Sequence, residues 1–291
     1  MKNFGDRKLT SFNVMRAYAH IIFSFRGLSF LLPYLWVVIW KFFLLMYFEK
    51  IHIRRIKVTS VDHELDNTVP FREDCFGIYI DFINYWIRPL SMMLKKFGHF
   101  KGIKLCQEWI KTITYTYNEA YKVYSKNLTT TRRPKPETKA VKNLQKADPH
   151  YCCVPSLHIA IIVLTISFYR MLLEREDFTE EEKTNFNGEI YSHGIEIAES
   201  VLYMKQHSVN CIPAAIYMMT KITPEIMNVE IAEEIIGDLF KNATDITEEN
   251  KKRIKAHIQK FYHELLSESE LYGHWSIPVL NWINNYTAYT K

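Results

Sequence analysis

Glycine and proline are scarce in this chain of 291 residues, which has 9 glycines and 10 prolines. An all-β protein needs many tight turns, and these two residues are common in turns, so their scarcity argues against that fold class. The five cysteines are odd in number and form no C-x-x-C pair. A disulfide framework or a zinc site is therefore not expected, and no metal or other cofactor is predicted.

A large excess of one charge sign is also absent, since the formal net charge is only +5. No stretch combines dense basic residues with interleaved aromatics, so a nucleic-acid partner is not predicted. The mild positive charge suits an anionic ligand or an anionic membrane surface. With 48% hydrophobic and 24% charged residues, the composition excludes a disordered chain.

A long apolar stretch lies near the N-terminus. Residues 28–47 contain one charge, Lys41, and are flanked by Arg26 and Lys50. Twenty such residues suffice to cross a hydrocarbon layer of about 30 Å. We therefore predict a membrane-embedded segment and a protein that is integral to, or tightly associated with, a membrane. The alternative is a buried or interfacial hairpin broken at Pro33, and a mean hydropathy of -0.16 argues against six lipid-exposed spans.

Helical periodicity dominates the chain, which predicts an all-α bundle of about six core helices plus peripheral helices. Residues 1–60 are predicted to form an N-terminal apolar segment, and residues 61–291 a helical domain. A helix interruption is expected near Pro33, and a helix kink at Pro89. Residues 127–150 are polar, basic and proline-bearing, so a loop is predicted there.

Three segments carry residues suited to phosphate chemistry. In the first, at 126–134, Lys126 and Arg133 stand seven residues apart, and Arg133 precedes Pro134. Cations in a proline-rigid loop can bind phosphate oxygens, and arginine can bind two at once. Alone this signal is weak, because a basic loop is usually solvated or rests on lipid headgroups.

The second segment, at 155–158, reads Pro155-Ser156-Leu157-His158 and predicts a helix start capped by Ser156. The free N–H groups at a helix start form an anion site. His158 would lie in the first turn, where an imidazole with a reference pKa of about 6.5 could protonate a leaving oxygen. For a lone histidine, a buried ring bonded to some carbonyl is the more common explanation.

The third segment, at 200–211, places His207 seven residues after Ser200 and directly after a Lys205-Gln206 pair. A neutral imidazole can attack phosphorus and form a phosphohistidine, which water or an alcohol then resolves. The alternative is again a buried histidine that makes one hydrogen bond.

Together the three segments resemble the type 2 phosphatidic acid phosphatase superfamily, which includes class A acid phosphatases and vanadium haloperoxidases. The family pattern is K-x6-R-P, then P-S-G-H, then S-R-x5-H-x3-D, and the resemblance covers about residues 120–215. Three motifs in the family order make a specific signal. The matching residues are Lys126, Arg133, Pro134, Pro155, Ser156, His158, Ser200 and His207.

The resemblance implies a metal-independent phosphatase or phosphotransferase that forms a phosphohistidine. His207 would be the nucleophile, and His158 the general acid for the leaving group. The phosphate oxygens would be bound by Lys126, Arg133, Ser156 and the backbone amide of Leu157.

Three positions depart from the family pattern. Leu157 replaces a glycine, but its amide remains, and P-S-L-H is similar to lipid-acting members such as inositol phosphoceramide synthase-like proteins. A phosphorylated lipid is therefore the expected substrate and partner. Val201 replaces an arginine, for which Lys205 could substitute. Cys211 replaces the aspartate that would orient the His207 imidazole and stabilise its positive charge.

Asn210 could orient His207 through its amide oxygen without supplying charge, and Glu196 or Glu199 could supply a carboxylate. If neither compensates for Cys211, the chain is a pseudoenzyme that binds a phosphorylated lipid without turnover. A third hypothesis is an unrelated helical membrane scaffold in which the motifs are coincidental.

Overall fold

Short polar side chains fix the start of several helices in this computed structural model, which describes residues 4–290. Ser24, Thr138, Ser156, Thr179 and Thr247 each precede a helix and accept a backbone N–H from its first turn. Such caps satisfy donors that have no partner inside the helix. The helices are α1 Val14–Ile22, α2 Phe25–Lys50, α3 Phe76–Ile80, α4 Phe82–Tyr124, α5 Lys139–Ala147, α6 Leu157–Arg175, α7 Glu180–Tyr203, α8 Cys211–Ile222, α9 Val229–Asp238, α10 Glu248–Ser269 and α11 Ser276–Asn285. The prediction of an all-α fold is confirmed.

Two short strands join distant parts of the chain. Strand β1 (Val58–Ser60) pairs in parallel with β2 (Leu128–Thr130). Thr129 on β2 also forms a bridge to Cys152, and its hydroxyl accepts the Val154 N–H at 2.7 Å. These bonds hold the segment that follows α4 against the segment that leads into α6, so they help to position the first two motifs.

Helix α6 lies in the core and packs against α4, α7 and α8. Within residues 4–290 it is one of two helices long and apolar enough to cross a membrane, but 78% of its most apolar 18-residue stretch is buried by protein. The other is α2, of which only 22% is buried. The apolar surface of α6 is therefore covered by the rest of the protein, whereas most of the apolar surface of α2 is exposed.

The outward face of α2 is apolar and carries aromatic rings. Trp36 and Trp40 are 63% and 46% exposed, and their rings stack with centroids 5.4 Å apart. Both charged residues between 27 and 49 turn toward the protein. Lys41 Nζ donates to Asn118 Oδ1 at 2.6 Å, and the carboxylate of Glu49 accepts the N–H of Ile56. The exposed face is thus suited to a lipid environment.

The interruption predicted near Pro33 is wrong, since Pro33 lies inside the continuous helix α2. Pro89 also lies inside a helix, α4. The chain instead turns before α2, where a Cβ on Gly27 would lie 2.0 Å from the carbonyl oxygen of Ile21. Helix α4 is interrupted at Gly98, whose φ of 71° is accessible to glycine at little cost. The turn before α2 therefore requires glycine at position 27, and the bend in α4 requires glycine at position 98.

The loop predicted for residues 127–150 is also partly wrong, because it contains β2 and the helix α5. Thr138 caps α5, and Val141 on its inner face is fully buried. Residues on both sides of position 60 share one hydrophobic core, and both α1 and α2 pack on α4.

Candidate active site

The histidines of the second and third motifs meet at one end of α6. His158 lies in the first turn of α6, and His207 lies in the connection between α7 and α8. The Nε2 atom of His207 is 3.3 Å from Nδ1 of His158 and 3.1 Å from the hydroxyl of Ser156. The fold therefore brings three predicted site residues into direct contact.

A tight turn after α7 places His207. The N–H groups of Gln206 and His207 both donate to the carbonyl of Val201, and Lys205 adopts a positive φ of 51°. The Lys205 ammonium donates to the backbone carbonyls of Asp66 and Val69. The lysine predicted to replace the family arginine thus anchors the turn to a neighbouring segment.

His158 lies in an apolar, aromatic environment. Its Nε2 atom is 3.3 Å from the Tyr79 hydroxyl, and its ring centroid is 4.7 Å from that of Phe82. Burial, followed by the nearby His207 ring, lowers the pKa of His158 to about 3. His158 is therefore neutral at pH 7, and its pKa lies well below the reference value used in the sequence-based argument.

A third histidine and two thiols extend this polar cluster. His150 Nε2 donates to the carbonyl of Gln206 at 2.6 Å, and it is 3.5 Å from the sulfur of Cys153. Burial raises the pKa of the Cys153 thiol, but the neighbouring Cys211, His150 and His207 side chains lower it well below its usual value. The cysteine at the position of the family aspartate therefore contacts another thiol.

These side chains line a cavity of about 30 Å³. A water molecule needs roughly 10–15 Å³ of such volume, so there is room for water but not for a phosphate ester. The cavity is too small for a substrate in this conformation. The lining residues are Phe42, Met46, Tyr79, Asp148, His150, Cys152, Cys153, His158, Gln206 and His207.

Arg133 lies at the rim of the cavity. Its guanidinium donates to the backbone carbonyls of Gln145 and Asp148 at 3.3 Å and approaches the Asp148 carboxylate at 3.5 Å. Lys126 is exposed, and its side chain forms no hydrogen bond or ion pair within residues 4–290. The structure thus brings one cation of the first motif near the histidines, and leaves the other in solvent.

The remaining supporting residues have other partners. Asn210 Oδ1 accepts from His257 at 2.8 Å, while its amide donates to Val61 and Tyr286, so it does not orient His207. The Ser200 hydroxyl donates to the carbonyl of Ile197 within its own helix.

Neither glutamate suggested as a substitute for the aspartate contacts His207. Glu196 pairs with His193, and Glu199 accepts the N–H of Phe240. The Nδ1 atom of His207 is buried and has no hydrogen-bond partner among the described residues. A carboxylate partner for this imidazole is therefore missing from that part of the chain.

Sequence reasoning missed four residues of the cluster, namely Tyr79, Asp148, His150 and Cys153. Three of them lie within eight residues before Ser156, so their closeness to the second motif was an available signal. Tyr79 is 79 residues away from His158 along the chain, and no local pattern links the two.

Comparison with protein-family models, curated proteins and solved structures gave no match. A helical bundle is compatible with many activities. Function is therefore inferred from the side chains that the fold brings together.

Proposed function

We propose that this protein is a membrane-associated phosphatase or phosphotransferase that resembles the type 2 phosphatidic acid phosphatase superfamily and acts on a phosphorylated lipid. The observation that carries the proposal is the contact of His207 Nε2 with both His158 Nδ1 and the Ser156 hydroxyl. The two imidazoles can supply a nucleophile and a proton donor, and the start of α6 beside them supplies backbone N–H groups for an anion.

In the proposed reaction, His207 Nε2 attacks phosphorus and the ester P–O bond breaks. The leaving oxygen keeps the bonding electrons and takes a proton from His158. Water or an alcohol then attacks the phosphohistidine and gives a proton back to His158, which releases His207. Because a neutral imidazole is a poor acid, His158 must gain a proton first. A bound phosphate dianion would favour this by raising the pKa of His158.

The position of α2 favours a lipid substrate. Phe42 and Met46 on its inner side line the histidine cavity. Trp36 and Trp40 on its outer side form part of the exposed apolar face. One helix therefore separates the site from a surface suited to acyl chains, so movement of α2 would open the cavity toward the membrane.

The test is hydrolysis of phosphate esters, including phosphatidic acid and soluble esters, by the whole chain in detergent without added metal. We expect turnover that vanadate inhibits and that His207→Ala abolishes. His263→Ala is the matched control, since His263 lies on the surface and pairs with Glu233. Turnover that survives His207→Ala would overturn the proposal.

The second candidate is a pseudoenzyme that binds a phosphorylated lipid without turnover. The small cavity and the absence of a carboxylate on His207 favour it. Cys211→Asp distinguishes the two. A large gain from an inactive parent identifies a pseudoenzyme, whereas little change in an active parent identifies an enzyme with another partner for His207.

A further inference from the structure

The positive charge of the chain is concentrated in two segments. Residues 50–57 and 132–147 together contain 10 lysines and arginines and a single acidic residue, Glu137. They therefore carry a formal charge of +9, whereas the rest of the chain, with 27 basic and 31 acidic residues, carries -4. A local excess of this kind is typical of a surface that binds an anionic partner. The cations are Lys50, Arg54, Arg55, Lys57, Arg132, Arg133, Lys135, Lys139, Lys142 and Lys146.

The fold joins these two segments into one region, which we call the basic surface. Strand β1 directly follows the first segment and pairs with β2, which ends just before the second. Lys50 Nζ donates to the carbonyl of Lys146 at 3.4 Å, and the Tyr47 hydroxyl donates to the carbonyl of Ala147. The C-terminal end of α2 therefore contacts the C-terminal end of α5.

Helix α5 presents three lysines to solvent. Its inner face is marked by Val141, which is fully buried. Lys139, Lys142 and Lys146 are exposed, and their spacing of three and four residues places them on one face of the helix. None of the three forms an ion pair within residues 4–290, so the protein does not neutralise their charges.

The basic surface continues from the exposed apolar face of α2. Trp36, Trp40 and Phe43 lie on that face, and Ile51 and Ile53, which follow α2, are 58% and 67% exposed. Apolar side chains therefore lie among the cations. A nucleic acid or an acidic peptide would bind the cations and leave these apolar groups in water, whereas a bilayer offers anionic headgroups and hydrocarbon together.

Helix α2 is held against the protein along its length. At its N-terminal end, Arg26 donates to Gln107 Oε1 at 2.7 Å, and in its second half Lys41 donates to Asn118 Oδ1 at 2.6 Å. Both partners lie on α4, and the last turn of α2 contacts α5. A helix with one face on the protein and an apolar face exposed fits the plane of a membrane interface.

We propose that the basic surface and the exposed face of α2 together dock the protein on an anionic lipid bilayer, with α2 in the plane of the interface. Headgroups contact the cations, and the rings of Trp36 and Trp40 enter the boundary between headgroups and acyl chains. Because Phe42 and Met46 of α2 line the histidine cavity, this orientation places the cavity next to the membrane. The inference rests on the membrane association in the proposed function, but not on turnover.

The first test is co-sedimentation of the whole chain with vesicles of phosphatidylcholine alone, or of equal parts of phosphatidylcholine and phosphatidylserine. We expect tighter binding to the anionic vesicles, and weaker binding as salt is raised. The double substitution Lys142→Gln and Lys146→Gln should lower the affinity for anionic vesicles about 10–30-fold. The matched control, Lys221→Gln and Lys252→Gln, removes the same charge from two other exposed lysines and should change it little.

Equal binding to neutral vesicles, or equal losses in the two double variants, would overturn the inference. Retention on heparin without vesicle binding would identify a site for a soluble polyanion instead, and would also overturn it.

The second test measures the depth of Trp36 and Trp40, which lie near the middle of α2. A spanning α2 would place them at the centre of the bilayer, whereas an α2 in the plane places them just below the headgroups. The measurement is fluorescence quenching by lipids brominated near the glycerol end or near the chain ends, with Trp36→Phe and Trp40→Phe together to identify their signal. We expect stronger quenching near the glycerol end, and stronger quenching at the chain ends would overturn the proposed orientation.

A kinetic comparison separates this inference from the proposed reaction. With Lys142→Gln and Lys146→Gln, hydrolysis of phosphatidic acid in vesicles should fall together with binding. Hydrolysis of a soluble phosphate ester should be unchanged, because neither lysine lines the histidine cavity. Vesicle binding without turnover of any ester would refute the proposed reaction and support the docking surface, whereas turnover in detergent without vesicle binding would refute the docking surface alone.

Discussion

Replacing His158 with glutamine should make the protein less sensitive to acid. In the folded state the pKa of His158 is about 3, against an ordinary value of 6.5. Between these values the unfolded chain binds a proton that the folded chain does not, so stability present above pH 6.5 is lost as the pH falls toward 3. The loss is about 1.4 kcal/mol per pH unit, or about 2 kcal/mol between pH 6.5 and 5.

The assay is urea unfolding followed by tryptophan fluorescence at several pH values from 8 to 4.5, in constant detergent. Lost packing in His158→Gln shifts the whole stability curve equally at every pH, so the slope of stability against pH is the quantity to compare. Cys106→Ala is the control, since it removes a buried side chain that does not titrate in this range. An unchanged slope in His158→Gln would refute the argument that burial holds this imidazole neutral.

Three further perturbations test the fold, the membrane face and the rim of the cavity. Gly27→Ala should lower the free energy of unfolding by about 1–3 kcal/mol or more because of the backbone clash. Gly188→Ala, with nothing within 4 Å, should raise it by up to about 1 kcal/mol, measured in thermal melts. The double substitution Trp36→Ser and Trp40→Ser should lower the affinity for anionic vesicles at least about tenfold, measured by co-sedimentation. Asp148→Asn should raise the affinity for vanadate about 3–10-fold, measured by calorimetry, because it frees the Arg133 guanidinium from its carboxylate partner.

Local chemistry allowed the helix starts to be predicted. Ser156 caps α6 as its sequence position suggests, and the first-turn position of His158 follows directly. Helix interruptions were harder to predict, because tertiary packing tolerates Pro33 inside α2. Gly98 sets the bend in α4, since a positive φ is a backbone requirement that neighbouring residues do not reveal.

The contacts of the site could be predicted only in part. The meeting of His158 with His207 was expected from the family resemblance, which encodes tertiary proximity that periodicity does not. The partners of Lys205 and Asn210 were not, because each is used by a segment far away in sequence.

The most direct measurement is mass-spectrometric mapping of the phosphorylated protein after a brief reaction with a phosphate ester and an alkaline quench. We expect one phosphate on His207, and none in the His207→Ala variant. In His158→Gln the phosphorylated fraction should rise if breakdown of the phosphohistidine is slowed more than its formation. Phosphate on another residue, or turnover without phosphorylation of His207, would contradict the mechanism.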